Sequence, residues 1–310
     1  MLRRVMSTPI SALAAKIRAA GPVIDPRGMA ALYAPFQERE PYAEITVTRS
    51  LSYGPDPQNL ADRFTPADAP SATARPVVIF VHGGGFTAGE RRLGSDSPFY
   101  DNVGVWAVRH GFIGINMTYR RAPRAQWPAA AEDIAAAVEW VRSTIGAAGG
   151  DPSRIFLLGH SAGATHVAGY VSQLRLSGGP NVKGAIILSG SFEVTPNEHA
   201  AADEIVFAQH EKAYFGSDPA LYPLQSSTEG LLSTSIPLLF VNPEFDMGFF
   251  HRHAAQLQAA FQHRGRECRF LVLPAENHMS QIFSLNTGNE ALSGELEPFI
   301  RRVLSGEVNR

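Results

Sequence analysis

The 310-residue chain sets 27 Lys plus Arg against 29 Asp plus Glu, a net charge of −2, with 45% apolar and only 18% charged residues. That balance supplies a large core and excludes a disordered or fibrous chain, and it lacks the clustered basic surface a nucleic-acid partner requires. The single cysteine, Cys268, excludes an intrachain disulfide and a cysteine-based zinc site.

At the N-terminus, MLRRVM followed by ALAA at 12–15 has the outline of a basic start and a cleavage site. Ser7, Thr8, Pro9 and Ser11 break any apolar run, however, and Lys16 and Arg18 follow at once. Ile10, Leu13 and Ile17 repeat on one helical face instead. Residues 1–45 therefore read as an N-terminal helical cap segment, punctuated by Pro22, Pro26, Pro35 and Pro41. No stretch of about 18 apolar residues occurs, so no membrane span is expected, and the cytoplasm is the default compartment.

Residues 44–53 alternate like a half-buried strand, GPDPQ at 54–58 is a turn, and the polar stretch TPADAPSATARP leads to the apolar run VVIFV at 77–81. Strand-like and helical patterns then alternate. The strands are GFIGINMTY (111–119), IFLLG (155–159), AIILSG (185–190), PLLFVNP (237–243) and RFLVLPA (269–275). The helices are 129–145, 162–176, 250–264 and a last one near 290–304. Short β-branched runs separated by helices predict a mostly parallel, doubly wound α/β sheet with helices on both faces, in one domain over 46–310. Residues 191–235 break the alternation and read as a cap insertion over one end of the sheet.

Two motifs carry chemistry. Gly159-His160-Ser161-Ala162-Gly163 lies between a strand and a helix, where a serine sits on a strained turn with its hydroxyl raised above the sheet. His82-Gly83-Gly84-Gly85-Phe86 follows VVIFV, and its glycines let backbone amides approach a substrate oxygen. The pattern is not a phosphate loop, which would need a Lys and a Ser/Thr. The two motifs are expected to meet at the ends of adjacent strands, with the amides of Gly84, Gly85 and Ala162 forming an oxyanion hole.

HGGGF, YRRAP (119–123), WPAAAEDIAAAVEWV (127–141), GGDPSRI (149–155) and GHSAGA (159–164) together resemble the α/β-hydrolase serine esterases. The hormone-sensitive-lipase type and related microbial carboxylesterases are the nearest, with acetyl-xylan, feruloyl-esterase-like and arylformamidase-like branches. The resemblance spans about residues 44–300. It departs where the usual YRLAPE reads YRRAP followed by Arg124, and where Asp246-Met247-Gly248 stands for Asp-Pro-Leu.

In this fold the catalytic members run in the order serine, acid, histidine. Asp246 matches the acid position after PLLFVNP, with Glu244 as the alternative, and His278 follows the last strand as the base. The resemblance implies a serine carboxylesterase acting on a small to medium ester with a short acyl or aromatic group, without metal or cofactor. The same triad could serve an amidase or arylformamidase. A silent receptor would require loss of a triad member, and all three are present. Relatives are often dimers, which makes a homodimer an allowed assembly with no segment assigned to its interface.

Phe86, Phe192, Phe215 and Met279 are the expected substrate-pocket residues, because they adjoin the catalytic loops or lie in the insertion. His160 and His82 read as structural. His251 and His253 do not share a helix face and so make a poor metal pair. His199, Asp203, Glu204, His210 and Glu211 read as a solvated face of the insertion.

Overall fold

Strands buried on both faces read as unbroken apolar runs, and the computed structural model, which describes residues 7–68, 74–172, 180–195 and 205–307, places such runs at the centre of one eight-stranded sheet. The strands are β1 (Ile45–Ser52), β2 (Leu60–Pro66), β3 (Arg75–Val81), β4 (Ile113–Met117), β5 (Gly150–His160), β6 (Gly184–Leu188), β7 (Leu238–Phe245) and β8 (Arg269–Asn277). Their order is β1-β2-β4-β3-β5-β6-β7-β8. β1 and β2 pair antiparallel, β2 runs antiparallel to β4, and every later pairing is parallel. The sheet is thus mostly parallel and doubly wound, as the sequence predicts.

Eleven α-helices are described: α1 (Ser7–Ala20), α2 (Pro26–Tyr33), α3 (Asp101–Arg109), α4 (Ala129–Thr144), α5 (Ala162–Val171), α6 (Ile205–Phe215), α7 (Tyr222–Gln225), α8 (Thr228–Ser233), α9 (Gly248–His263), α10 (Ser280–Phe283) and α11 (Glu290–Ser305). Alternation along the strands divides the core in two. Val77, Ile79 and Val81 pack with α4, α5 and α9 on one face. Val78 and Phe80 pack with Leu13 and Ile17 of α1, Tyr33 of α2, Trp106 of α3 and Leu296 of α11 on the other. Among the described residues, no helix is long and apolar enough to cross a membrane.

Two elements depart from the sequence reading. Residues 60–66 form a strand although Asp62 and Arg63 interrupt its apolar pattern. Asp62 is buried there because Arg49 and Arg91 reach its carboxylate at 2.9 and 2.8 Å. Residues 101–109 form α3 despite Gly104 and three valines. That glycine is imposed by packing, since a Cβ on it would stand 2.5 Å from Phe64 Cγ.

Candidate active site

Ser161 stands at the junction of β5 and α5 with φ +58° and ψ −125°, in the left-handed region that side chains rarely occupy. A serine at a helix N-cap ordinarily bonds its own helix amides. Ser161 makes no such bond, so its hydroxyl is uncommitted. The flanking glycines make the sharp turn feasible. A Cβ on Gly159 would lie 2.6 Å from the Gly163 carbonyl oxygen, and one on Gly163 2.5 Å from the carbonyl oxygen of His82 and closer still to that of Val81. Gly163→Ala is therefore expected to push α5 off β3, lowering stability by about 3 kcal/mol or more, read by a melting curve. A variant with the wild-type melting temperature would refute this close-approach account.

Parallel pairing of β3 with β5 sets Val81 opposite Gly159, so the loop after Val81 reaches the same end of the sheet as Ser161. A Cβ on Gly83 would touch Ser161 Cβ at 2.9 Å. Gly84 and Gly85 adopt φ +139° and +56°, and their amides donate no hydrogen bond among the described residues. The YRRAP segment braces this loop. Tyr119 stacks on His82 and donates to its carbonyl at 2.8 Å, Arg121 donates to the Gly89 carbonyl, and the Ala122 amide donates to Phe86 O at 3.0 Å. Asp133, in the helix that follows, holds Arg120 at 2.8 Å and its amide at 2.7 Å. His82 itself bridges Nδ1 to the Gly83 carbonyl at 2.7 Å.

His278 follows β8, and its Nδ1 lies 2.8 Å from Asp246 Oδ1. A carboxylate can only accept, so Nδ1 carries the proton and Nε2 a lone pair. That Nε2 is buried and has no partner among the described residues. Phe250 stacks on the ring with centroids 4.7 Å apart. Asp246 also accepts from Ser189 Oγ at 2.6 Å, Asn242 Nδ2 at 3.1 Å and the Met247 amide at 2.9 Å. Burial pushes its carboxyl pKa upward, but the His278 imidazole and these hydrogen bonds outweigh burial and hold it below the ordinary carboxylate range.

Gln281 donates from Nε2 to both Ser189 Oγ (2.7 Å) and the His278 carbonyl (3.1 Å), linking the acid's support to the base's backbone. His160 Nε2 donates to the same carbonyl at 2.8 Å. Glu244, the alternative acid, is exposed and accepts from the Ala275 amide at 2.7 Å instead of approaching His278. Neither Gln281 nor Ser189 is assigned a role from the sequence, because their partners lie far away in the chain.

Ser161 and His278 open into a cleft of about 600 Å³. Its walls come from the α1–α2 linker (Pro22, Val23, Ile24), the glycine loop, Phe207 and His210 of α6, Met247 and Met279. No Asp, Glu, Lys or Arg lines it among the described residues.

Of the four expected pocket residues, Met279 lines this cleft and three do not. Phe86, at φ +65°, turns its ring under the loop among His166, Phe207, Tyr214 and Phe215, and is fully buried. Phe215 belongs to that same cluster. Phe192 packs edge-on against Phe240, and its amide donates to His253 Nδ1 at 3.3 Å.

The solvated-face reading of the insertion is also corrected. His210 lines the cleft, and Glu211 is buried, accepting from Ser191 Oγ at 3.1 Å. His199, Asp203 and Glu204 lie outside the described residues.

The sequence profile of a family described as alpha/beta hydrolase fold matches residues 78–282, over half of the chain. Esterase LipQ of Mycobacterium tuberculosis is 27% identical over 244 residues, covering 74% of this chain and 56% of LipQ. A probable isoprenylcysteine alpha-carbonyl methylesterase of Oryza sativa is 35% identical over 122 residues, 39% of this chain and 27% of its own length. The chain thus spans about half, or less, of these relatives. An inhibited esterase B from Lactobacillus rhamnosis superposes with a TM-score of 0.74 at 20% identity, covering 96% of this chain and 98% of that one, which is a likeness of fold.

Proposed function

Because the chain belongs to the α/β-hydrolase fold family, we propose that it is a serine carboxylesterase for uncharged esters of small to medium size. The observation that carries this reading is the unpartnered His278 Nε2 in the same cleft as Ser161, with Asp246 fixing the opposite nitrogen. The relatives named above are themselves called esterases, which supports the same bond class here.

On this reading His278 Nε2 takes the Ser161 proton as Oγ attacks the ester carbonyl carbon. The negative charge that gathers on the carbonyl oxygen is met by the amides of Gly84, Gly85 and Ala162, each such donor supplying about 3 kcal/mol of transition-state stabilisation. His278 then protonates the departing alkoxide, giving an alcohol and an acyl-Ser161. Water, deprotonated by the same nitrogen, attacks the acyl carbon and releases the acid. Asp246 keeps the imidazole in the required tautomer and stabilises its cation. The N-terminal segment to residue 45 and the insertion at 191–235 act as the cap that sets access, since both contribute cleft walls.

The test uses p-nitrophenyl acetate, butyrate and octanoate beside a matching anilide, with an organophosphate that labels the nucleophile. Turnover of the esters, blocked by one equivalent of label on the Ser161 peptide, is the expected result. Anilide turnover exceeding that of the matched ester would move the assignment to an amidase. Labelling at another residue would overturn the nucleophile assignment.

A further inference from the structure

His210 enters the cleft from α6, one helical turn beyond Phe207 and on the same face. Its ring lies against the oxyanion loop. A Cβ on Gly85 would collide with His210 Nδ1 and come within 3.3 Å of Cε1, so the glycine makes room for this imidazole.

His210 is half-buried, and its imidazole makes no hydrogen bond among the described residues. Four other polar side chains line the cleft. His160 Nε2 is bonded to the His278 carbonyl, the Tyr100 ring packs between Phe80 and Phe283, and Ser161 and His278 hold the proposed chemistry. The remaining walls are proline, valine, isoleucine, leucine, methionine and phenylalanine.

We infer that His210 is a specificity-determining residue that hydrogen-bonds an oxygen of the substrate other than the scissile carbonyl. The preferred substrates are then uncharged esters bearing an ether, hydroxyl or carbonyl oxygen a few bonds from the reacting carbon. The physical reason is an asymmetry of desolvation. In the open cleft water satisfies the imidazole, and a purely hydrocarbon substrate displaces that water and leaves a polar group unpaired. A substrate with a suitably placed acceptor replaces the lost bond, so the two should differ about tenfold or more in kcat/KM. This inference rests on the esterase reading above.

The experiment compares two matched pairs, one for each side of the ester. On the acyl side the pair is p-nitrophenyl butyrate and p-nitrophenyl methoxyacetate. On the alcohol side it is butyl butyrate and 2-methoxyethyl butyrate. The wild type, His210→Leu and His210→Gln are measured on all four, with melting curves to show that each variant is folded. The expected result is that His210→Leu shrinks the oxygenated-to-hydrocarbon ratio about tenfold in at least one pair, with the change in KM, and that His210→Gln restores part of it. The pair that responds identifies the side His210 contacts. Equal losses within both pairs, or ratios identical to the wild type, would overturn the inference. Absence of Ser161-dependent turnover on all four esters would instead remove the esterase reading beneath it.

Discussion

Ser161→Ala is expected to lower kcat/KM on short p-nitrophenyl esters by about 10⁵- to 10⁶-fold while leaving the melting temperature within about a degree. The hydroxyl takes no part in helix capping, so its loss costs the fold little. Chemistry suffers because the remaining groups have nothing to activate. His278 Nε2 would have no hydroxyl to deprotonate, and residual turnover would come from bound water at the oxyanion loop. Nucleophile deletions in triad hydrolases elsewhere show this scale, with about 10³- to 10⁴-fold catalysis over water surviving. A loss of only tenfold would remove Ser161 from the reaction and send the search to another nucleophile. Ser161→Thr is the sharper companion, because a β-branched side chain at φ +58° strains the turn that holds the hydroxyl.

The second large effect is on stability in mild acid. Three buried histidines and the half-buried His253 have their pKa values pushed down by desolvation: His82 and His253 to about 4, His160 and His166 to about 3. His278 adds to the shift at His160. In the unfolded chain each would take a proton near pH 6.5, so below that pH the unfolded state binds more protons and stability falls as pH falls. The loss begins near pH 6.5 and continues down to the folded values near 3 to 4. At pH 5 each fully buried histidine forfeits on the order of 2 kcal/mol relative to pH 7, a large fraction of the stability of a typical domain when taken together.

Asp246 acts in the same direction over a lower pH range. Its lowered pKa contributes stability above the unfolded carboxylate range, and that contribution is lost only at still lower pH. Melting temperature followed from pH 7.5 to 4.5 should fall steeply below pH 6.5. His166→Phe should flatten that slope, because its ring already sits among Phe86, Tyr119 and Tyr214. A melting temperature unchanged between pH 7 and pH 5 would contradict the buried neutral state of these rings.

The legible parts of this fold share a local cause. The elbow is readable because Gly159 and Gly163 are required by contacts within five residues and across one strand pair, and because strand and helix flank them. Asp246 and His278 follow from chain order, and the structure places them 2.8 Å apart.

What the sequence concealed depends on partners distant in the chain. β2 hides behind Asp62, whose burial makes sense only once Arg49 and Arg91 are adjacent. Besides the motif residues themselves, the cleft walls include residues 22–26, 93 and 207–210, which no local pattern ties to the site. Phe86 illustrates the converse: it directly follows the glycine run, yet its left-handed backbone sends the ring into the core. His210 looked like solvent-facing polarity for the same reason, since only the bare Gly85 surface, absent from any local pattern, gives it a place.

The sheet supplies the anchorage of Ser161, Asp246 and His278, whereas much of the cleft wall is hung on two separate stretches, the α1–α2 linker and α6. On the proposed reading, part of the wall can therefore be changed without touching the strand ends that hold Ser161, Asp246 and His278. A graft that exchanges residues 22–26 or the Phe207–His210 turn for a relative's counterpart alters which molecules enter while every bond from Asp246 to His278 stays as it was.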